Sequence, residues 1–492
     1  MPEPDTTAPE QSFDPAEWVE FASLAHRMVD TMLDHLKSLG EGPAWQESPK
    51  EIRNRLNDEP LPREGVGESA AFEQFVSDVL PYGNGNADPR FFGWVQGNGT
   101  PLGMMADMLA SGMNPHLAGF NQNPALVEAK VVDWMRELMG FPEGSSGLLL
   151  GGGSMANLTG LVVARNVQAG FDVRADGLQG NEHPPMRIYC SSETHSWAKK
   201  TVEVLGMGAR SLRVVPTNAD FTMDLAALAA MIADDRQAGY RPIVVIASAG
   251  TVNTGATDDL NGLADLCAAE DLWLHVDGAF GALCKLSPAL APIVSGLERA
   301  DSVAFDLHKW MYLPFEIACV LVRDGEAHRQ AFSQNVSYLS TLERGVSLGG
   351  QPFAGLGIEL TRGFKALKAW MSLKAYGVNK FAALIEQNVA QAQYLAGLVR
   401  AESSLELTAP APLNVVCFRY VHPNQSQAEL NELNQELLMS LQERGLAVPS
   451  STVINGNFCL RACFVNHRTQ LRHVDDLMED LSKLGQFLLS EP

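Results

Sequence analysis

The sequence predicts an α/β protein built on a mostly parallel sheet and followed by a small α+β region. Between residues 120 and 330, short apolar runs alternate with stretches of helical periodicity. The runs are near-continuously apolar, as expected of strands buried on both faces of a parallel sheet. The last hundred residues change character, with two helices interleaved with two strand-like runs.

The elements follow in chain order. Residues 1–12 read as a tail and 13–40 as one amphipathic helix. Asp14 and Pro15 give its start signal, and Trp18, Phe21, Leu24, Met28, Met32 and Leu36 recur at helical spacing. Residues 50–80 hold two shorter helices around Pro60 and Pro62, and 84–100 reads as irregular. A helix fills 124–139, and Gly151-Gly152-Gly153 turns into another at 154–168. The apolar runs are Arg187–Cys190, Leu212–Val215, Ile243–Ala247, Trp273–Val276, Ser302–Phe305 and Cys319–Val322, with helices at 194–207, 224–238 and 258–270. Residues 356–400 read as long helix. Asn414–Tyr420 and Phe458–Val465 read as strands, and 426–444 and 471–489 as helices.

Composition narrows the function classes. The chain has 492 residues, 46% hydrophobic and 19% charged, with 36 Lys and Arg against 58 Asp and Glu. A formal charge of −22 repels phosphates on average and argues against a nucleic-acid or anionic-membrane binder. Seven cysteines without a CxxC pair or zinc-ligand spacing suggest reduced thiols, no metal and a cytoplasmic protein. The acidic, Pro-rich N-terminus shows no secretory signal, and no apolar run is long enough to predict a membrane span.

Chemistry-bearing residues gather at strand ends, where open α/β sheets bind ligands. Ala304-Phe305-Asp306-Leu307-His308-Lys309-Trp310 reads either as a strand end with solvated polar groups or as a lysine placed to form an imine with an aldehyde cofactor. Asp277, ending Leu274-His275-Val276-Asp277-Gly278-Ala279, either caps the next helix or pairs with a ring nitrogen. The two small residues after it leave room for a flat ring. The Gly151–Ser154 turn opens a helix whose N–H groups and dipole suit a phosphate, or it is a tight turn with Ser154 as cap. His195 and the segment Ala249–Gly255 also follow strands.

Together these residues resemble the pyridoxal-phosphate (PLP) dependent group II amino-acid decarboxylases, the family of aromatic-amino-acid, glutamate and histidine decarboxylases. The matching motifs are NPALVEAKVVDWMRELMGFP at 123–142, GGGSMANLTGL at 151–161, SSETHSW at 191–197, SAGTVNTGATDDL at 248–260, LHVDGAFGA at 274–282 and ADSVAFDLHKW at 300–310. The resemblance covers roughly residues 70–490. It implies PLP-dependent transferase fold type I, with a seven-stranded, mostly parallel sheet. It also implies an N-terminal tail and helical arm over 1–95, a large cofactor domain over 96–385 and a small C-terminal domain over 386–492.

The resemblance also assigns roles. Lys309 is the imine-forming lysine, and Asp277 keeps the pyridine nitrogen protonated. His195 stacks over the ring and Ala279 packs on its other face. Gly153, Ser154 and His308 bind the phosphate, and Thr251 lies near the cofactor and the substrate carboxylate. Tyr338 matches the mobile-loop acid that protonates Cα, which favours decarboxylation over oxidative deamination. The implied reaction converts an L-amino acid, a small-molecule substrate, to an amine and CO₂. The competing reading keeps the fold and cofactor but changes the reaction to oxidative deamination, lyase or aminotransferase chemistry. A non-catalytic binding protein would be expected to lack Lys309, Asp277 or Tyr338, and none is missing. The resemblance further implies a homodimer with sites at the interface, clasped by the helix at 13–40; read by itself, that amphipathic helix could equally pack on its own subunit.

The substrate pocket departs from the aromatic decarboxylases. After Phe91-Phe92-Gly93, Trp94 keeps an aromatic, but Val95 and Gln96 replace the expected Phe and Pro. His116 and Ala118 replace apolar and aromatic residues that the partner subunit contributes in the family. Phe92, Trp94, His116 and Thr251 are the expected substrate contacts; the departures imply a pocket wider and more polar than in aromatic decarboxylases or, alternatively, residues that only pack the dimer interface.

Overall fold

The computed structural model describes residues 12–180, 183–334, 344–346 and 353–490. They form two compact units, one of residues up to 42 with 46–84, the other of 43–45 with 85 onwards.

In the first unit the helix Trp18–Lys37 starts later than its sequence signal suggests. Its N-cap is Glu17, which makes no side-chain cap. Asp14 instead sits in a local turn, its N–H donating to Ser12 Oγ at 3.0 Å. No residue of this helix is buried. The shorter helices Lys50–Asn57 and Glu68–Gln74 follow, and Arg55 clamps Asp78 through two 2.8 Å bonds.

The second unit carries twelve strands among the described residues. They are β1 (Phe91–Phe92), β2 (Ser146–Leu150), β3 (Met186–Ser191), β4 (Leu212–Val215), β5 (Arg241–Ser248), β6 (Trp273–Asp277), β7 (Ser302–Asp306), β8 (Ala318–Val322), β9 (Leu405–Leu407), β10 (Val415–Tyr420), β11 (Val448–Ile454) and β12 (Asn457–Cys463). Seven form one sheet in the order β2-β8-β7-β6-β5-β3-β4. The pairs β3–β4, β3–β5, β5–β6 and β6–β7 are parallel, and β8 runs antiparallel to both β7 and β2. Apart from β8, every strand therefore ends on the same side. Helices pack on both faces, so the apolar runs have no water-facing side.

The C-terminal sheet has the order β1-β11-β12-β10-β9. β1 corrects the irregular reading of 84–100: Phe91 and Phe92 pair in parallel with Val448 and Pro449. A two-residue strand is too short for periodicity to reveal. The long helix runs Ala366–Ala401, starting ten residues later than expected, and is interrupted at Gly377 (φ 70°, ψ 158°). It serves two cores, with Leu373, Phe381 and Ile385 in the core of the seven-stranded sheet and Ala392, Leu395 and Val399 in that of the C-terminal sheet. Among the described residues, no helix is long and apolar enough to cross a membrane.

Candidate active site

Because β2, β3, β5, β6 and β7 share a direction, the segments that leave their carboxyl ends converge. They border one cleft of about 850 Å³. It is lined by Lys309, His195, Asp277, Ala279, Gly153, Ser154, Thr251, His308 and Trp94, all expected site residues.

Lys309 lies in the single helical turn Leu307–Trp310 directly after β7. Its Nζ pairs with Asp306 Oδ2 at 2.8 Å. The N–H groups of Leu307 and His308 both donate to Ile317 O, at 3.0 and 3.1 Å, tying this turn to the start of β8. Gly97 packs against the same backbone: a Cβ there would stand 1.5 Å from His308 O, so only glycine fits. The His308 ring holds its Nδ1 2.9 Å from Ile317 O. Burial keeps its pKa below the ordinary histidine value, against the pull of Asp306.

Asp277 ends β6 and is buried. Its Oδ2 accepts a 2.6 Å bond from Trp197 Nε1 and its Oδ1 a 3.1 Å bond from Ala279 N. No Lys or Arg among the described residues pairs with it. His195 stands at the rim, its Nδ1 accepting from Trp197 N at 3.2 Å. Burial lowers its pKa against the opposing effect of Asp277, which favours the neutral ring. Thr251 is buried, with its Oγ1 3.0 Å from Thr254 Oγ1. The helix Gly153–Gln168 points its N-terminus into the cleft. Gly153 passes close to Asp306, where a Cβ would meet Oδ2 at 2.9 Å.

Two expected substrate contacts lie elsewhere in this chain. Phe92 is not at the cleft: its side chain is 1% exposed and packs on Phe464 in the C-terminal core, with ring centroids 5.3 Å apart. Facing inward from β1, it cannot also face the cleft. His116 is exposed, edge-on to Phe120 at 5.7 Å, and does not line the cleft. Tyr338 lies outside the described residues.

Three residues escaped sequence reasoning. Trp197 sits inside a quoted motif, but nothing in the sequence tells where its indole points. Asp306 reads as an ordinary strand end, yet it is the lysine's partner. Arg461 is buried beside the cleft, donating to Trp94 O at 3.0 Å and Asn253 O at 3.2 Å, and its Nη2 has no hydrogen-bond partner among the described residues. A charged residue within the apolar run Cys459-Leu460-Arg461-Ala462-Cys463 was the available signal.

A strand-end cleft holding a lysine, a buried carboxylate and an open helix N-terminus on this sheet defines a PLP-dependent enzyme of fold type I. The comparisons give the particular family. The model described as "Pyridoxal-dependent decarboxylase conserved domain" matches residues 49–421, and the chain belongs to that family. It is 33% identical over 473 residues to an aromatic-L-amino-acid decarboxylase of Bacillus atrophaeus, covering 95% of this chain and 96% of that protein. The solved structure of Oryza sativa TDC with PLP and tryptamine superposes with a TM-score of 0.88 at 26% identity, over 97% of this chain and all of that one (100%). Catharanthus roseus tryptophan decarboxylase in complex with L-tryptophan gives 0.85 at 26%, over 96% of this chain and 100% of that one. The protein is a PLP-dependent decarboxylase that converts an L-amino acid to an amine and CO₂.

The cleft fits that cofactor at three points. Asp277 is a buried carboxylate that pairs with no Lys or Arg among the described residues, and a protonated ring nitrogen would supply the missing cation. Asp306 Oδ1 is a buried acceptor without a hydrogen bond among the described residues, 3.8 Å from His308 Nε2 and beside the amine of Lys309. The first turn of the helix Gly153–Gln168 leaves N–H groups unpaired within the helix, and these suit a phosphate.

Proposed function

We propose that the substrate is an aromatic L-amino acid and that the roles read from the sequence hold. The observation that carries this is the convergence of Lys309, Asp277 and the Gly153 helix N-terminus on one cleft whose mouth offers Trp94, Val95 and Phe315 as apolar surface. The names of the relatives support the same substrate class.

Bound here, PLP supplies an electron sink for the charge left on the substrate as CO₂ departs. Lys309 Nζ would bond the cofactor's aldehyde carbon, and Asp306 holds that amine in place. The Asp277 carboxylate would pair with the ring nitrogen. Gly153 and Ser154 N–H groups and His308 would hold the phosphate. His195 would cover one ring face, and Ala279 would leave space on the other. Thr251 lies toward the substrate carboxylate. Tyr338 donates the proton to Cα, a role supported by sequence resemblance alone.

The assembly proposed is a homodimer. The helix Trp18–Lys37 buries none of its residues and leaves Trp18, Val19 and Phe21 exposed, as a face awaiting a second copy does. His116 would then serve the partner's site. The proposed compartment is the cytoplasm, supported by seven free, buried cysteine thiols.

The test is a panel of L-amino acids assayed for CO₂, amine, ammonia and aldehyde. Amine and CO₂ in equal amounts from aromatic substrates support the reading. Turnover confined to acidic or basic substrates overturns the substrate class, and ammonia with aldehyde as sole products overturns the role of Tyr338.

A further inference from the structure

We propose that Trp197 is a positioning residue, fixing the orientation of the Asp277 carboxylate toward the cofactor's ring nitrogen. This rests on the reading of Asp277 given above and adds to it a residue to which sequence resemblance gave no role.

Both carboxylate oxygens of Asp277 are engaged from the protein side, Oδ2 by the indole N–H and Oδ1 by a main-chain N–H. Each oxygen keeps a further lone-pair direction, so the plane of the carboxylate is set while a site remains for one more donor. The 2.6 Å bond from Trp197 is the shorter of the two and comes from a side chain that is 3% exposed.

The indole is itself held. Trp197 is the first residue of the helix Trp197–Val204, and its ring stands edge-on to His275 at 5.9 Å and 79°. His275 is fully buried and pinned at both nitrogens, Nε2 to Asn157 Oδ1 at 2.7 Å and Nδ1 to Ser302 Oγ at 2.8 Å. Asn157 donates its amide N–H to Gly153 O, which leaves its oxygen facing His275. That assigns Nε2 as the donor and Nδ1 as the acceptor. The wall behind Trp197 is thus a neutral hydrogen-bonded chain running to the cofactor-facing helix.

One consequence follows from the donor's chemistry. Indole is a donor only; unlike a serine or histidine at this place, it cannot accept the proton that belongs on the ring nitrogen.

The test separates the nitrogen contact from packing by titrating two probes into the cofactor-depleted full-length protein. One is PLP and the other its deaza analogue, with carbon in place of the ring nitrogen. Trp197→Phe is expected to raise the dissociation constant for PLP about tenfold, from the loss of a hydrogen bond to a charged group. The constant for the analogue should change less than about twofold. Should Trp197→Phe fold poorly, benzothienylalanine at 197, which keeps the ring shape but carries sulfur for N–H, gives the same comparison. Val202→Ala, a truncation in the buried face of the same helix, should shift both probes equally. Equal weakening of both probes by loss of the N–H reduces Trp197 to packing and overturns the proposal, as does no weakening at all. Asp277→Ala is read alongside: if it fails to discriminate between the probes, the reading of Asp277 itself falls.

Discussion

Replacing Asp277 by asparagine keeps the shape of the side chain and removes its charge, so its effect can be worked from the contacts. The carboxylate accepts from Trp197 Nε1 and from Ala279 N. An amide has one oxygen, so one of these donors is left facing an NH₂ group. An unmatched buried donor costs about 1–3 kcal/mol. That cost falls on the folded chain with or without cofactor. Losing the charge opposite a protonated ring nitrogen costs about 3–5 kcal/mol more, as for one partner removed from a buried pair. This second cost exists only in the loaded enzyme. At about 1.4 kcal/mol per factor of ten, it predicts a fall in kcat of about 10² to 4 × 10³ at saturating cofactor and substrate. The assay is single-turnover CO₂ release, with urea unfolding of the cofactor-free chain beside it. Unfolding should register only the smaller cost. A variant that keeps kcat within tenfold of the wild type while saturated with cofactor refutes the electrostatic role assigned to Asp277.

Lys309→Ala should abolish the near-ultraviolet to visible band of the bound cofactor and reduce CO₂ release at least a thousandfold, a rough scale for a covalent catalyst removed; absorbance and gas release check it. Arg362→Met should destabilise the cofactor-free chain by about 3–5 kcal/mol in urea, because it strands Glu128, which is 0% exposed and pairs with that guanidinium. Adding Glu128→Gln should restore part of the loss. His275 gives a pH prediction: burial lowers its pKa to about 3, against 6.5 for the unperturbed group. Its contribution is therefore complete above about pH 6.5 and is lost as pH falls toward 3, where the unfolded chain takes up a proton that the native one refuses. His275→Gln should flatten the fall in stability between pH 6.5 and 4, measured by urea midpoints, and an unchanged slope would count against it.

Much of this molecule was legible in its sequence, for identifiable reasons. The strands that build the site are buried on both faces, so Ile243–Ala247 or Trp273–Val276 stand out as apolar runs between helical stretches. β2 was missed because Leu148-Leu149-Leu150 is a short run squeezed between a helix and the glycine turn. β11 was missed because Ser450, Ser451 and Thr452 interrupt its apolar character. Residues at strand ends could be placed because a shared direction puts them on one side. Phe92 could not, since which way a residue faces in a two-residue strand depends on a partner distant in the chain. The bond from Trp197 to Asp277 was equally hidden, because the residues meet only once β3 and β6 are in one sheet.

The reversal of β8 against β7 bears on how the enzyme resets. Chain leaving β7 must turn back, and Lys309 sits inside that bend, directly after Leu307 and His308, whose N–H groups bond to Ile317 O and whose backbone is pressed against Gly97. The backbone is thus a fixed pivot, and any swing of the amine is confined to the rotatable bonds of its own side chain. With Asp306 as a resting post, the arm has one defined starting position.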